Sequence, residues 1–175
     1  EMCIRDRRMD IIKWINRILS WEPNARIVLH GVSMGAATVL MASGEDLPEN
    51  VKAVIADCGY TSEWDEFQRE ADTLHIPWFP VLNATSVLSK VRDGYDFKQA
   101  SALAQVKKSR IPTLFIHGSS DELVPYSMLG ELYAAAACEK EELTVEGAGH
   151  ALSSSVAPTL YWRTVEDFIA KYLDR

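Results

Sequence analysis

The chain has 175 residues, 47% of them hydrophobic and 25% charged, enough for one domain with a sizeable core. Its net charge of −7 argues against nonspecific nucleic-acid binding and against a polybasic membrane-surface patch. The three cysteines, Cys3, Cys58 and Cys138, have no metal-ligand spacing and cannot all pair internally, so a reducing compartment is the plain expectation.

The first element to account for is the N-terminus. Met2-Cys3-Ile4-Arg5-Asp6 back-translates as ATG TGT ATA AGA GAC, which resembles a transposase adapter used in sequencing libraries. Residues 1–8 are therefore expected to be non-native, the alternative being a genuine basic turn, and the domain is read over residues 9–175. Residues 9–20 place Ile11, Ile15 and Ile18 at helical spacing, which predicts an amphipathic helix. Residues 27–29 read as a short buried strand, 31–35 as a tight turn, and 36–42 as a helix that follows at once. The alternation repeats with a second buried strand over 51–56. Ser62 with Asp65 three residues on resembles a capping box, opening a helix to about Leu74 that Pro77 and Pro80 stop. A third strand over 112–116, a helix over 126–137 and a short fourth strand over 143–145 follow. Pro158 then opens a helix with an apolar stripe through Tyr161, Val165, Phe168, Ile169 and Tyr172.

Four strands alternating with helices predict an α/β fold with a parallel sheet. Residues 61–110 are too long for a single crossover and are aromatic, with Trp64, Phe67, His75, Trp78, Phe79, Tyr95 and Phe97 among them. They read as a crossover helix carrying a small helical cap insertion, or as a plain pair of packing helices.

The chemistry is carried by three short motifs. Gly31-Val32-Ser33-Met34-Gly35 is a G-x-S-x-G pentapeptide between a strand and a helix, the context in which a nucleophilic serine is raised on a strained turn. Both Gly31 and Gly35 are expected to be required there by close approach of the backbone. The Met34 backbone N–H, at the helix start, would face a developing oxyanion. A serine needs a base, and the base an orienting carboxylate. Asp121 follows the third strand in His117-Gly118-Ser119-Ser120-Asp121, and His150 follows the fourth in Gly147-Ala148-Gly149-His150. Both lie beyond strand C-termini, the edge where parallel α/β sheets bind ligands. The bare alternative is a glycine-rich turn with an idle serine.

Together these motifs resemble the α/β-hydrolase superfamily, and in particular bacterial esterase-like and serine-aminopeptidase-like members, over about residues 9–175. The resemblance implies a partial α/β-hydrolase fold, the C-terminal half of a mostly parallel sheet flanked by helices. It implies that Asp121 orients His150 and that His150 deprotonates Ser33. It also implies that about four early strands, and the loop giving a second oxyanion N–H, lie outside this chain. A serine rather than an aspartate at residue 33 disfavours dehalogenase and epoxide-hydrolase chemistry. The expected substrate is a small ester or amide, with no metal and no cofactor. Peptidase or acyltransferase activity on the same triad, and a non-catalytic fragment, are the competing readings.

Other residues are weighed beside these. Asp57 ends the second strand and could serve as a reserve acid or as a structural residue. Glu122 reads as solvated or loop-pairing, His30 and His117 as structural, His75 as solvated. Cys58 reads as a small buried residue rather than a nucleophile. Tyr60, Trp64, Trp78, Phe79, Leu123 and Val124 could line an acyl or leaving-group pocket, or could belong to the core.

Overall fold

The computed structural model describes residues 4–92, 94 and 96–173, so residues 1–3, Cys3 included, and Tyr95 fall outside the described residues. Each apolar run forms a strand: β1 (Ile27–Val32), β2 (Val51–Asp57), β3 (Thr113–Gly118) and β4 (Lys140–Val145). They pair in parallel in the order β1-β2-β3-β4, so successive strands are sheet neighbours and every crossover is helical.

Period-two alternation divides the strands between two cores. Val54, Ala56 and Phe115 face one core with α1 (Ile4–Trp21), α2 (Met34–Ser43), α5 (Ala102–Val106) and α6 (Ser127–Ala135). Ala53, Ile55, Leu114 and Ile116 face the other, where α8 (Pro158–Tyr172) lays down Tyr161, Val165, Phe168 and Tyr172. Pro158 stands at the start of α8, where its missing N–H has no helical partner to lose.

Three expectations change. β1 is not buried on both faces: Ile27, Leu29 and Gly31 are buried while His30 and Val32 are exposed, because it is the edge strand of the described sheet. It also runs on through Gly31 and Val32, so the turn narrows to Ser33. Finally, α1 starts at Ile4, ahead of the expected residue 9, and Arg8 pairs with Glu45 at 2.9 Å.

Residues 61–110 contain two helices, α3 (Glu63–Thr73) and α4 (Trp78–Arg92), then a 3-10 turn (Phe97–Gln99) and α5. The Ser62 hydroxyl accepts from Asp65 N at 3.0 Å, the expected N-cap. α3 ends at Thr73 with Leu74 as its C-cap, as expected, ahead of Pro77; Pro80 follows Phe79, whose φ −99° and ψ 127° are not helical, and stands in the first turn of α4, where a missing N–H is tolerated. No described helix is long and apolar enough to cross a membrane.

Candidate active site

The C-terminal ends of β1, β3 and β4 bring three side chains to one place. Ser33 follows β1 with φ 54° and ψ −117°, a backbone conformation that a non-glycine residue adopts only under constraint. Its N–H donates to Asp57 O at 2.8 Å, which ties the turn to β2. Gly31 permits that turn: a Cβ there would stand 2.3 Å from the Gly35 carbonyl carbon and oxygen. The requirement expected at Gly35 is absent among the described residues, since a Cβ there meets nothing within 4 Å. The close approach is one-sided because the helix folds its backbone over Gly31 and leaves the Gly35 Cα facing open space.

Asp121 lies in the turn after β3 and is buried. Its Oδ1 accepts from the backbone N–H groups of Leu123 at 3.0 Å and Val124 at 2.9 Å. His150 follows β4 in a loop that turns at Gly147, φ 73°. That loop packs on the end of β3 so tightly that a Cβ on Gly118 would lie 2.2 Å from Ala148 O. His150 Nδ1 is 2.9 Å from Asp121 Oδ2, and His150 Nε2 is 2.8 Å from Ser33 Oγ. An ionised carboxylate only accepts, so Nδ1 carries the hydrogen and Nε2 is left to accept from the serine hydroxyl. The first N–H groups of α2, Met34 among them, have no acceptor within the helix by its geometry.

Asp57 does not compete for this role. Its Oδ1 accepts from Ser153 Oγ at 3.1 Å, not from His150. Burial raises the Asp57 pKa above its ordinary value, only partly offset by hydrogen bonds from Ser153 and Tyr161. His30 is the packing histidine expected, 3.0 Å from the Tyr161 hydroxyl and edge-on to Trp162. Although the residue is exposed overall, packing of its ring beside Tyr161 and Trp162 desolvates it and lowers its pKa, with the Asp57 charge acting the other way. His75 and Glu122 are exposed.

Two residues beside the site carry no local sequence signal for what they do. Ser153 is fully buried beneath the histidine loop. His117, read as merely structural, reaches the Asp121 carboxylate, with Nε2 3.3 Å from Oδ2. Of the residues expected to line a pocket, Tyr60 and Val124 belong to the core on the α2–α6 side, drawn inward by the turns that carry them. Leu123 is exposed, and half-buried Trp64 takes the Lys98 ammonium over its ring at 4.4 Å.

One group of described side chains has the donor set of a metal site: Cys58, Asp121 and His150, with ligand atoms within 4.8 Å of one another. It does not fit a resident metal. Asp121 and His150 are engaged with each other and with Ser33. Burial first, and then the Asp57 charge, push the Cys58 thiol up to about 12, so it stays protonated and is neither a ready ligand nor a nucleophile.

A parallel sheet with a serine on a strained strand–helix turn, and a carboxylate and a histidine on the loops after later strands, is the α/β-hydrolase fold. Within that fold the chain belongs to the prolyl oligopeptidase family, whose profile matches residues 7–175. The chain is 32% identical over 163 residues to the uncharacterised protein YqkD of Bacillus subtilis, covering 89% of this chain and 53% of that protein. It is 31% identical over 157 residues to the α/β-hydrolase domain-containing protein WAV2 of Arabidopsis thaliana, covering 85% and 48%. It thus spans about half the length of the curated relatives it matches. Among solved structures, the acylaminoacyl peptidase of Pyrococcus horikoshii superposes with a TM-score of 0.71 at 19% identity, over 96% of this chain and 28% of that one. The Pyrococcus furiosus esterase Pf2001 superposes with a TM-score of 0.71 at 18% identity, over 95% and 62%. At these identities the likeness concerns the fold.

Proposed function

We propose that this chain carries the nucleophile, base and acid of a serine hydrolase that cleaves carboxylic esters through an acyl-enzyme. The observation that carries the reading is the unbroken hydrogen-bond chain from Ser33 Oγ through both nitrogens of His150 to Asp121 Oδ2. Ser33 Oγ attacks the ester carbonyl as its proton passes to His150 Nε2. The imidazolium so formed is held by Asp121. The carbonyl oxygen takes up the negative charge and accepts from the Met34 N–H. Collapse of the tetrahedral species breaks the bond to the alcohol oxygen, which leaves with the proton from Nε2. Water then repeats the sequence on the acyl-serine, releasing the acid and restoring Ser33. No step calls for a metal or a cofactor.

An apolar acyl group suits the surroundings. Met34, Leu123 and Leu152 stand next to or near the reacting residues in the chain and are 42%, 46% and 49% exposed. Membership of the prolyl oligopeptidase family favours a second reading, cleavage of peptide bonds by the same residues. The test is a matched pair of p-nitrophenyl esters and p-nitroanilides with the same short acyl groups. The ester reading expects turnover of the esters with the anilides much slower, unchanged by dialysis against a chelator. Comparable rates on both would favour the peptidase, and no turnover of either by folded protein would contradict both.

A further inference from the structure

We infer that His117 is a positioning residue for the reaction, holding the turn that carries the Asp121 carboxylate and standing beside the oxygen that binds His150; this rests on the hydrolase reading above. His117 is the penultimate residue of β3, within the sheet, and its side chain is 1% exposed. Its Nε2 lies 3.0 Å from Val124 O and 3.3 Å from Asp121 Oδ2. A carbonyl oxygen can only accept, so Nε2 must carry a hydrogen; it is donated to the Val124 carbonyl, and the same N–H stands beside the carboxylate without a hydrogen bond to it. The ring is fixed by Tyr126, edge-to-face at 6.0 Å, whose hydroxyl is itself tied to Thr144 Oγ1 at 2.7 Å.

Asp121 thereby accepts three N–H hydrogen bonds and has a fourth N–H beside it. Leu123 N and Val124 N donate to Oδ1 and His150 Nδ1 to Oδ2, while His117 Nε2, bonded to Val124 O, lies 3.3 Å from Oδ2. The consequence is electrostatic as well as geometric. Each donor on a buried carboxylate spreads its charge. Without His117, the N–H dipole beside Oδ2 is lost, so more of the negative charge falls on the proton that His150 must share. The base is then held more firmly in its protonated form. The other groups facing this cluster are Asp57 at the end of β2, Cys58 just after it, Tyr126 and Ser33. None of them offers Oδ2 a replacement N–H.

The test uses His117→Phe, which keeps a ring against Tyr126 but removes the donor, and His117→Gln, whose amide can place an N–H near the same point. The expected result for His117→Phe is a fall in kcat of about tenfold with KM little changed, and an acid limb of the kcat/KM profile moved up by about one pH unit. His117→Gln should restore most of both. A histidine needed only for packing would lower the melting temperature of both variants and leave the pH profile in place, and that result would overturn the proposal. If His117→Phe does not fold, the downfield proton resonance of His150 Nδ1 decides between wild type and His117→Asn, in which the shorter amide cannot reach Oδ2. The inference expects that signal to shift, and an unchanged signal overturns it. Because the signal needs no turnover, it also separates this inference from the hydrolase reading, which fails if folded wild type turns over no ester or anilide.

Discussion

Ser153 Oγ donates to Asp57 Oδ1 at 3.1 Å, while the Asp57 main-chain oxygen receives the Ser33 N–H at 2.8 Å. One residue at the end of β2 thus fastens both the serine turn and the loop bearing the histidine, without touching the histidine itself. Asp57→Asn is expected to keep turnover within about tenfold of wild type, a barrier change of roughly 1.4 kcal/mol. Its larger effect should be on the pH dependence of stability. Burial raises the folded-state pKa of Asp57, so its contribution is fully present below the unfolded pKa and is lost as pH rises through the folded pKa. Thermal melts should therefore show wild type at its greatest advantage over Asp57→Asn in acid, with the gap closing or reversing as pH rises past the ordinary carboxylate range. A gap independent of pH would show that Asp57 titrates normally.

Asp121→Asn tests the acid more severely. The amide can offer an N–H where the carboxylate accepted, which favours the His150 tautomer unable to take the Ser33 proton. A loss in kcat of roughly ten-thousandfold is expected, by analogy with a comparable triad, with KM little affected. A loss as small as that of Asp57→Asn would place the acid elsewhere.

The glycines of the serine turn should behave unequally. Gly31→Ala would drive a methyl group to 2.3 Å from the Gly35 backbone, and is expected to cost about 1–3 kcal/mol or more, with loss of turnover. Gly35→Ala meets open space and should be neutral or gain up to about 1 kcal/mol through helix propensity. Denaturant unfolding of the two variants measures this directly. Equal destabilisation would mean that the turn is packed differently from the geometry described.

The parts of this site that were legible in the sequence are those whose signal is local. Ser33, Asp121 and His150 each follow an apolar strand within a glycine-bearing loop, and strand ends of a parallel sheet converge. The α/β alternation was legible for the same reason, as was the Ser62 cap of α3. The unread parts depend on partners distant in the chain. His117 has meaning only once the next turn brings the Val124 carbonyl and Asp121 back onto it, and Ser153 only once β2 delivers Asp57 beneath it. Val124, expected to line a pocket or to belong to the core, lies in the core, where two hydrogen bonds hold its backbone. Exposure of alternate residues on β1 reflects what flanks the strand, which its own apolar sequence cannot report.

The central claim is that Ser33 is an activated nucleophile, and labelling with a fluorophosphonate tests it most directly, since the reagent reacts with such serines and needs no knowledge of the substrate. Wild type should be labelled at Ser33. Ser33→Ala should not be labelled, and its ester turnover should fall by about a millionfold, the loss seen for the nucleophile of a comparable triad. Equal labelling of wild type and Ser33→Ala, or none of folded wild type, would contradict the account.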